Sequence, residues 1–139
     1  MFFSNEITVP KNTAITAPVE TVIPVTRGII DKVGYRPRPG HAGLCHCRVY
    51  YHEHQIYPVS RDQDLHGDTF PIEWNDQEEI FTAPYTLVVR SWNDDDTYEH
   101  AFDISFSILD EQKTIGSVLS RAIIDLFSFL TPRRIFGGV

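Results

Sequence analysis

Cysteine is scarce in this chain of 139 residues, which contains only Cys45 and Cys47. Two cysteines one residue apart cannot build the network of cross-links that holds many small secreted domains together. The first residues also lack the positively charged segment and the apolar run of a secretory signal peptide. We therefore expect a protein that is made in a reducing cytoplasm without a signal peptide and that folds around an apolar core.

Basic residues are also in the minority. The chain has 12 lysine and arginine residues against 19 aspartate and glutamate residues, which gives a formal net charge of -7 at pH 7. An acidic surface repels the phosphate backbone of nucleic acids. We therefore expect no general nucleic-acid binding, and we interpret the short basic pairs Arg36/Arg38 and Arg133/Arg134 as solvated turn and terminal residues.

An uninterrupted hydrophobic run of membrane-spanning length is missing as well. A transmembrane helix needs about 20 apolar residues with few charges, whereas the most apolar segment, near the C-terminus, contains Arg121 and Asp125 in its middle. We expect no membrane span. The length of the chain and its 42% apolar content suit a single domain with its own core.

Up to residue 109 the sequence consists of short β-branched and aromatic runs that are interrupted by Pro, Gly, Asn and Asp. Turns that recur roughly every eight to twelve residues are typical of an antiparallel β-sandwich of the jelly-roll kind. The sequence therefore predicts a mainly β fold. The predicted strands are residues 6–9, 19–25, 28–35, 44–52, 69–74, 85–92 and 100–109.

Alternation within these strands predicts the core, because successive side chains of a strand point to opposite faces. One face of each well-patterned strand is apolar, and the other carries polar residues. The acidic run at residues 93–96 predicts a hairpin loop between the last two strands. The predicted core residues are Cys45, Cys47, Val49, Tyr51, Leu87, Val89, Phe102, Ile104, Phe106 and Ile108.

From Asp110 onwards apolar residues recur at intervals of three and four, which predicts a helix over residues 110–130. Asp110 is placed to cap the N-terminus of this helix, and Thr131 with Pro132 ends it. The chain is thus predicted to contain a β-sandwich domain at residues 1–109, the helix, and an extended arm at residues 131–139.

The predicted helix is apolar around much of its circumference. Packing beside the sandwich alone would leave part of this surface in water, so the helix needs a further neighbour. We therefore expect the helix and the arm to be buried between subunits. The predicted interface residues are Ile115, Val118, Leu119, Ile123, Leu126, Phe127, Leu130, Ile135 and Phe136.

The motif His52-Glu53-His54 is the string most typical of an enzyme. Two alternate histidines on a strand point the same way and can bind one metal ion, as cupins do on a jelly roll. A cupin site also needs a glutamate shortly after the second histidine and a later histidine after Pro-x-Gly, and this sequence has neither. We interpret both histidines as exposed loop residues.

Two further clusters contain metal-ligating residue types. The cysteines at residues 45–47 bracket a histidine, with His41 nearby, but a structural zinc site usually shows two separated pairs of ligands. Burial in the core is the more common role of such cysteines. The aspartates at residues 94–96, with Asp62 and Asp64 elsewhere, lack the glycine and the distant glutamate of a calcium loop. We predict no metal and no cofactor.

Aromatic residues offer an alternative function. Trp74, Trp92 and Tyr98 would form a sugar-stacking platform if they lined one flat face, although aromatic residues of small sandwiches more often serve the core or an interface. A carbohydrate-binding module is therefore the alternative to an assembly role. A cupin-like metal enzyme is a third, more distant alternative.

A small β-sandwich, a predicted hairpin of sequence WNDDDTYEH and a hydrophobic terminal helix with an arm occur together in this chain. In its whole architecture the chain resembles the decoration and cement proteins of tailed-phage particles. The resemblance implies a non-enzymatic subunit of the virion surface, synthesised in the host cytoplasm. It also implies a homo-oligomer, often a trimer, whose terminal arms clamp the neighbouring proteins of a capsid shell.

Overall fold

The computed structural model describes the backbone of residues 1–130 and the side chains of residues 1–110 and 119–128. Within this part of the chain, nine β-strands precede one α-helix. The strands are β1 (Phe2–Val9), β2 (Val19–Pro24), β3 (Gly28–Pro37), β4 (Cys45–Tyr51), β5 (His54–Tyr57), β6 (Leu65–His66), β7 (Ile72–Ile80), β8 (Thr86–Asn93) and β9 (His100–Leu109), and the helix is α1 (Glu111–Leu130).

The strands form two antiparallel sheets. Sheet A has the order β1-β9-β3-β7, and sheet B has the order β2-β8-β4-β5, with the short β6 also paired to β4. The chain crosses between the sheets repeatedly, because β1, β3, β7 and β9 belong to sheet A and the strands between them to sheet B. This alternation is the connection pattern of a jelly roll. The predicted fold class, a mainly β antiparallel sandwich with a C-terminal helix, is confirmed.

The core lies between the two sheets. In β9 every second residue, from His100 to Ile108, is buried, and the intervening residues up to Ser107 are half-buried. The predicted core residues are buried, except Tyr51, which is half-buried and packs against the core. Further buried side chains come from β1 and β3. They are Ile7, Val9, Ile30, Val33 and Tyr35.

The C-terminal helix begins directly after the sandwich. β9 ends at Leu109 and α1 begins at Glu111, so the predicted helix over residues 110–130 is confirmed to within one residue. Asp110 occupies the position before the first helical residue, where a carboxylate favours the helix N-terminus. The predicted arm at residues 131–139 lies outside the described residues. Within the described residues, no helix has the length and apolar character that crossing a membrane requires.

Two predictions about the strands are wrong. β7 spans Ile72–Ile80 and not residues 69–74, because it is an edge strand of sheet A whose inward positions include the half-buried Asp76 and Glu78. Charges on an edge strand hide the apolar alternation. The acidic segment at residues 93–96 does not close a hairpin, since β8 and β9 lie in different sheets. It carries the chain from one sheet to the other.

Candidate functional site

One side of α1 is apolar and exposed. Every described side chain of the helix, at residues 119–128, is exposed. The large apolar side chains of this segment are between 51% and 65% exposed, and they are Leu119, Ile123, Ile124, Leu126 and Phe127. Contiguous exposed apolar surface on a folded protein marks a site of interaction.

The helical spacing brings four of the predicted interface residues together. Leu119, Ile123, Leu126 and Phe127 are three or four residues apart, so they share one side of the helix, and we call them the apolar helix face. Ile115, Val118 and Leu130 belong to the same helix, but their side chains lie outside the described residues. Ile135 and Phe136 also lie outside them.

The charges of this helix segment balance. Arg121 and Asp125 are the charged residues between 119 and 128, and at about 100° per residue they lie on the side opposite Ile123. Ser128 lies on that polar side as well, and its Oγ donates a hydrogen bond of 2.7 Å to the carbonyl oxygen of Asp125. The segment is therefore locally neutral, although the whole chain carries a formal charge of -7.

The structure does not bring Trp74, Trp92 and Tyr98 onto one face. Trp74 lies on β7 in sheet A and packs inward, with its ring centroid 5.5 Å from that of Tyr57. Trp92 lies on β8 in sheet B. Tyr98 is exposed in the segment that connects the two sheets. A sugar-stacking platform from these three residues is therefore not formed.

Trp92 is covered although it points to the outer face of sheet B. Its ring is stacked on the imidazole of His46, with centroids 5.3 Å apart and an angle of 6° between the planes. The guanidinium carbon of Arg48 lies 5.0 Å from the Trp92 centroid. Only 5% of Trp92 is exposed, so the indole has little surface left for a ligand.

The two cysteines lie in the core, as the strand pattern predicts. Cys45 and Cys47 are fully buried on the inner side of β4 and are not joined to each other. Burial raises the pKa of Cys45 to about 12, against a hydrogen bond from the backbone of His46 that lowers it. Burial also raises the pKa of Cys47. Both thiols therefore stay protonated near neutral pH, and neither is suited to nucleophilic chemistry or metal binding.

The histidine at residue 52 lies in a tight turn, and His54 directly follows that turn. β4 ends before His52, and β5 begins at His54. His52 and Glu53 both have positive φ, 47° and 64°, so the strand alternation that would align the two imidazoles is broken. His52 lies 2.9 Å from the carbonyl oxygen of Thr82 through its Nε2. These histidines are exposed loop and strand-end residues, as interpreted from the sequence.

Among the aspartates of residues 94–96, Asp95 bonds the local backbone. Oδ1 of Asp95 accepts hydrogen bonds from the amides of Thr97 and Tyr98, at 2.7 and 3.1 Å. Together with the Nε2 of His100, these donors lower the pKa of Asp95. Asp96 accepts from the hydroxyl of Thr97. These bonds form a local turn, although the hairpin that the sequence predicts here is not formed.

One cluster of side chains was missed in the sequence. His46 on β4 and His66 on β6 are directly opposite each other, and Asp64 precedes His66 by two residues, so all three point outward from sheet B. The Nδ1 atoms of both rings lie 2.7 Å from Oδ1 of Asp64. The alternation of Asp64 and His66 was visible in the sequence, but the pairing of a two-residue strand with β4 was not.

A second pair of histidines lies inside the fold. His41 is fully buried, and its ring centroid is 4.7 Å from that of His100. Nε2 of His41 donates a 2.7 Å hydrogen bond to the carbonyl oxygen of Ala101, and its Nδ1 is buried with no hydrogen-bond partner among the described residues. Burial lowers the pKa of His41, against that hydrogen bond, and His100 lowers it further. The folded protein thus favours neutral His41.

The buried His41 makes the fold sensitive to mild acid. The usual pKa of histidine is 6.5. Below that pH, His41 takes up a proton more readily in the unfolded chain than in the folded chain, where its pKa is lower. The free energy of unfolding should therefore fall as the pH is lowered through 6.5 and should be fully retained above it. Hydrogen bonds lower the pKa of Asp68 and Asp95. Protonation of these carboxylates therefore does not change the free energy of unfolding above about pH 5.

Urea unfolding at pH 7.5 and pH 5.5 measures this effect. The variant His41→Gln keeps an amide that can donate to Ala101 but does not titrate. We expect its stability to fall less between the two pH values than that of the unmodified chain. An equal fall in both proteins would show that His41 is not the group responsible.

No protein-family model, curated protein or solved structure matches this chain. Because one fold can host many functions, the jelly-roll fold alone does not indicate which function this chain has. The functional conclusion therefore rests on the geometry of the described sites.

Proposed function

We propose that this chain is a non-enzymatic structural protein that assembles with further copies of itself through the apolar helix face. The observation that carries the proposal is the exposure of this face: Leu119, Ile123 and Leu126 are more than half exposed in the single chain. Covering these side chains removes apolar surface from water, which is the dominant driving force of association.

The stability of the helix supports the same proposal. Most helical stability in proteins comes from packing of an apolar side against a neighbour and not from intrinsic propensity. In α1 the described side chains are exposed, so the sandwich of the same chain does not provide that packing between residues 119 and 128. A second copy of α1 supplies the missing neighbour, because two apolar helix faces pack well against each other.

The distribution of charge favours a contact between two copies through the helix and not through the rest of the surface. The formal charge of -7 makes two copies of the chain repel each other. Arg121 and Asp125 cancel within the described helix segment, so a contact through α1 does not bring like charges together. The sandwich domains can remain apart while the helices pack.

Within this assembly role, we further propose a subunit of a virion surface, as the architectural resemblance implies. Jelly rolls are a recurrent fold of viral capsid proteins, which is compatible with this class of particle. The edge strands of the sandwich, β1 and β7 in sheet A and β2 and β5 in sheet B, offer backbone groups to which an arm can add as a further strand. Ile135 and Phe136 are the predicted apolar residues of such an arm.

The molar mass in solution tests the assembly role. We expect the full chain to show a defined multiple of 15.9 kDa by light scattering, and a chain that ends at Leu109 to be a folded monomer. Circular dichroism of the truncated chain checks that the β-sandwich is retained. Monomers in both cases would contradict the proposal, because the helix face would then be exposed without driving association.

A further inference from the structure

We propose that His46, Asp64 and His66 bind one divalent transition-metal ion, of which Zn²⁺ is the representative, and that Asp94 orients His46 for this role. One ligand atom from each of the three residues lies within 4.8 Å of the other two. Imidazole nitrogens and a carboxylate oxygen are ligands that Zn²⁺ and related ions accept, whereas Ca²⁺ and Mg²⁺ favour oxygen alone. This site is independent of the assembly role.

The distances between the ligand atoms are close to those of a metal site. Bonds of about 2.0–2.1 Å to a tetrahedral ion place two ligand atoms about 3.3 Å apart. The Nδ1 atoms of His46 and His66 each lie 2.7 Å from Oδ1 of Asp64, so each separation has to grow by about 0.6 Å. The side chain of His66 is 55% exposed, so its ring can move away from Asp64. The separation between Asp64 and His46 has to grow by rotation of the Asp64 carboxylate about its own side-chain bonds.

The second nitrogen of His46 provides an independent argument. Its Nε2 lies 3.3 Å from Oδ2 of Asp94. A metal-bound histidine usually donates its other N–H group to a carboxylate, which fixes the tautomer and the direction of the ring. With a proton on Nε2 toward Asp94, the lone pair of Nδ1 points toward Asp64 and His66.

The ligands are held by packed neighbours. The ring of His46 is stacked on Trp92, and β4 is a central strand of sheet B. The carbonyl oxygen of Gln63, directly before Asp64, accepts hydrogen bonds from Nε of Arg48 at 2.9 Å and from Nε2 of Gln55 at 3.2 Å. The loop that presents Asp64 is therefore already in place, which lowers the entropic cost of binding.

Protons balance in this binding step. Each Nδ1 is within hydrogen-bond distance of Asp64, and the metal ion replaces that contact. A neutral ring that carries its proton on Nδ1 transfers it to Nε2, and a doubly protonated ring releases one proton to the solvent. Binding should therefore weaken in acid, because protons compete with the metal ion for the same ring nitrogens.

The fluorescence of Trp92 can report metal binding, because its indole is stacked on His46. The chain has two tryptophans, Trp74 and Trp92, so the variant Trp74→Phe leaves only the indole that is stacked on His46. In this background we expect Ni²⁺ to quench the Trp92 fluorescence in a saturable titration with one equivalent per chain. Zn²⁺, which does not quench, should compete for the site, and EDTA should restore the emission.

Substitutions identify the ligands. We expect Asp64→Asn and His66→Ala to weaken Ni²⁺ binding by roughly tenfold or more, and Asp94→Ala to weaken it by about 10–100-fold. The matched controls are Asp96→Ala, which removes a neighbouring charge of the same loop, and His54→Ala, which removes another exposed imidazole. Both controls should bind like the Trp74→Phe parent, and circular dichroism verifies that each variant is folded.

The proposal is overturned if Asp64→Asn and His66→Ala bind Ni²⁺ as tightly as the parent, or if His54→Ala loses binding to the same extent. It is also overturned if Ni²⁺ does not quench Trp92 in a saturable way. Asp94→Ala separates the two parts of the inference: unchanged affinity there would remove Asp94 from the role of orienting His46.

Discussion

Replacing Phe106 by alanine should lower the free energy of unfolding by about 3–5 kcal/mol. The side chain is 1% exposed and lies on β9, which is paired on both sides, with β1 and with β3. From the opposite sheet, the ring of Tyr57 is stacked against it with centroids 6.4 Å apart. Because strands on both sides hold β9 in place, the sheets cannot close the cavity that the truncation leaves. Urea unfolding monitored by circular dichroism measures the loss.

Phe70→Ala is the matched control, since it removes the same atoms from a side chain that is 79% exposed. We expect its effect to stay within about 0.5 kcal/mol. The total stability of a domain is about 5–15 kcal/mol, so the loss at Phe106 is a large part of it. Equal effects of the two substitutions would contradict the position of Phe106 between the sheets.

The sequence predicts the β9 part of this core well, for a clear physical reason. Phe102, Ile104, Phe106 and Ile108 alternate with polar residues, and β9 spans the predicted residues 100–109. A strand that is buried on one face and half-buried on the other produces this period of two. β4 and β8 are recognisable in the same way, because their inner faces are apolar while their outer faces carry polar residues such as Arg48 and Arg90.

Features that depend on pairing over long distances are not visible in the sequence. The acidic segment at residues 93–96 has the local chemistry of a hairpin turn, yet the partners of β8 and β9 are set by sheet packing and not by that chemistry. The cluster of His46, Asp64 and His66 likewise depends on pairing between residues that are distant in the sequence. It depends on the register of a two-residue strand, β6, against β4, and two residues carry no recognisable period.

The helix is a different case, since its surface could be predicted from the sequence but its surroundings could not. Spacing of three and four residues defines the apolar helix face, and α1 has the predicted bounds to within one residue. Whether the sandwich covers that face depends on the direction in which the chain leaves β9. In the structure, Leu119 and Ile123 remain exposed, because the chain leaves β9 in a direction that keeps this face out of the core of the sandwich, and no sequence period encodes that direction.

The variant Ile123→Glu is expected to dissociate the full chain into monomers. Ile123 lies in the middle of the apolar helix face, between Leu119 and Phe127 around the helix. A hot-spot residue near the centre of an interface costs about 2 kcal/mol or more when it is replaced, and we expect Ile123 to be such a residue. Where two copies of α1 face each other the position occurs twice, so the loss is about 4 kcal/mol, or roughly a thousandfold in the dissociation constant. Light scattering across a concentration series measures this change.

Ser128→Glu is the control, because it adds the same charge about 140° away around the helix. We expect it to leave the molar mass unchanged, since no apolar contact is lost and the charge remains in water. If both variants dissociate and added salt restores the assembly, repulsion between acidic chains governs association and the apolar helix face does not. If Ile123→Glu retains the mass of the unmodified protein, that face is not the contact and the proposed assembly through it is contradicted. Dissociation of Ile123→Glu alone, at low and at high salt, is the result that burial of apolar surface requires.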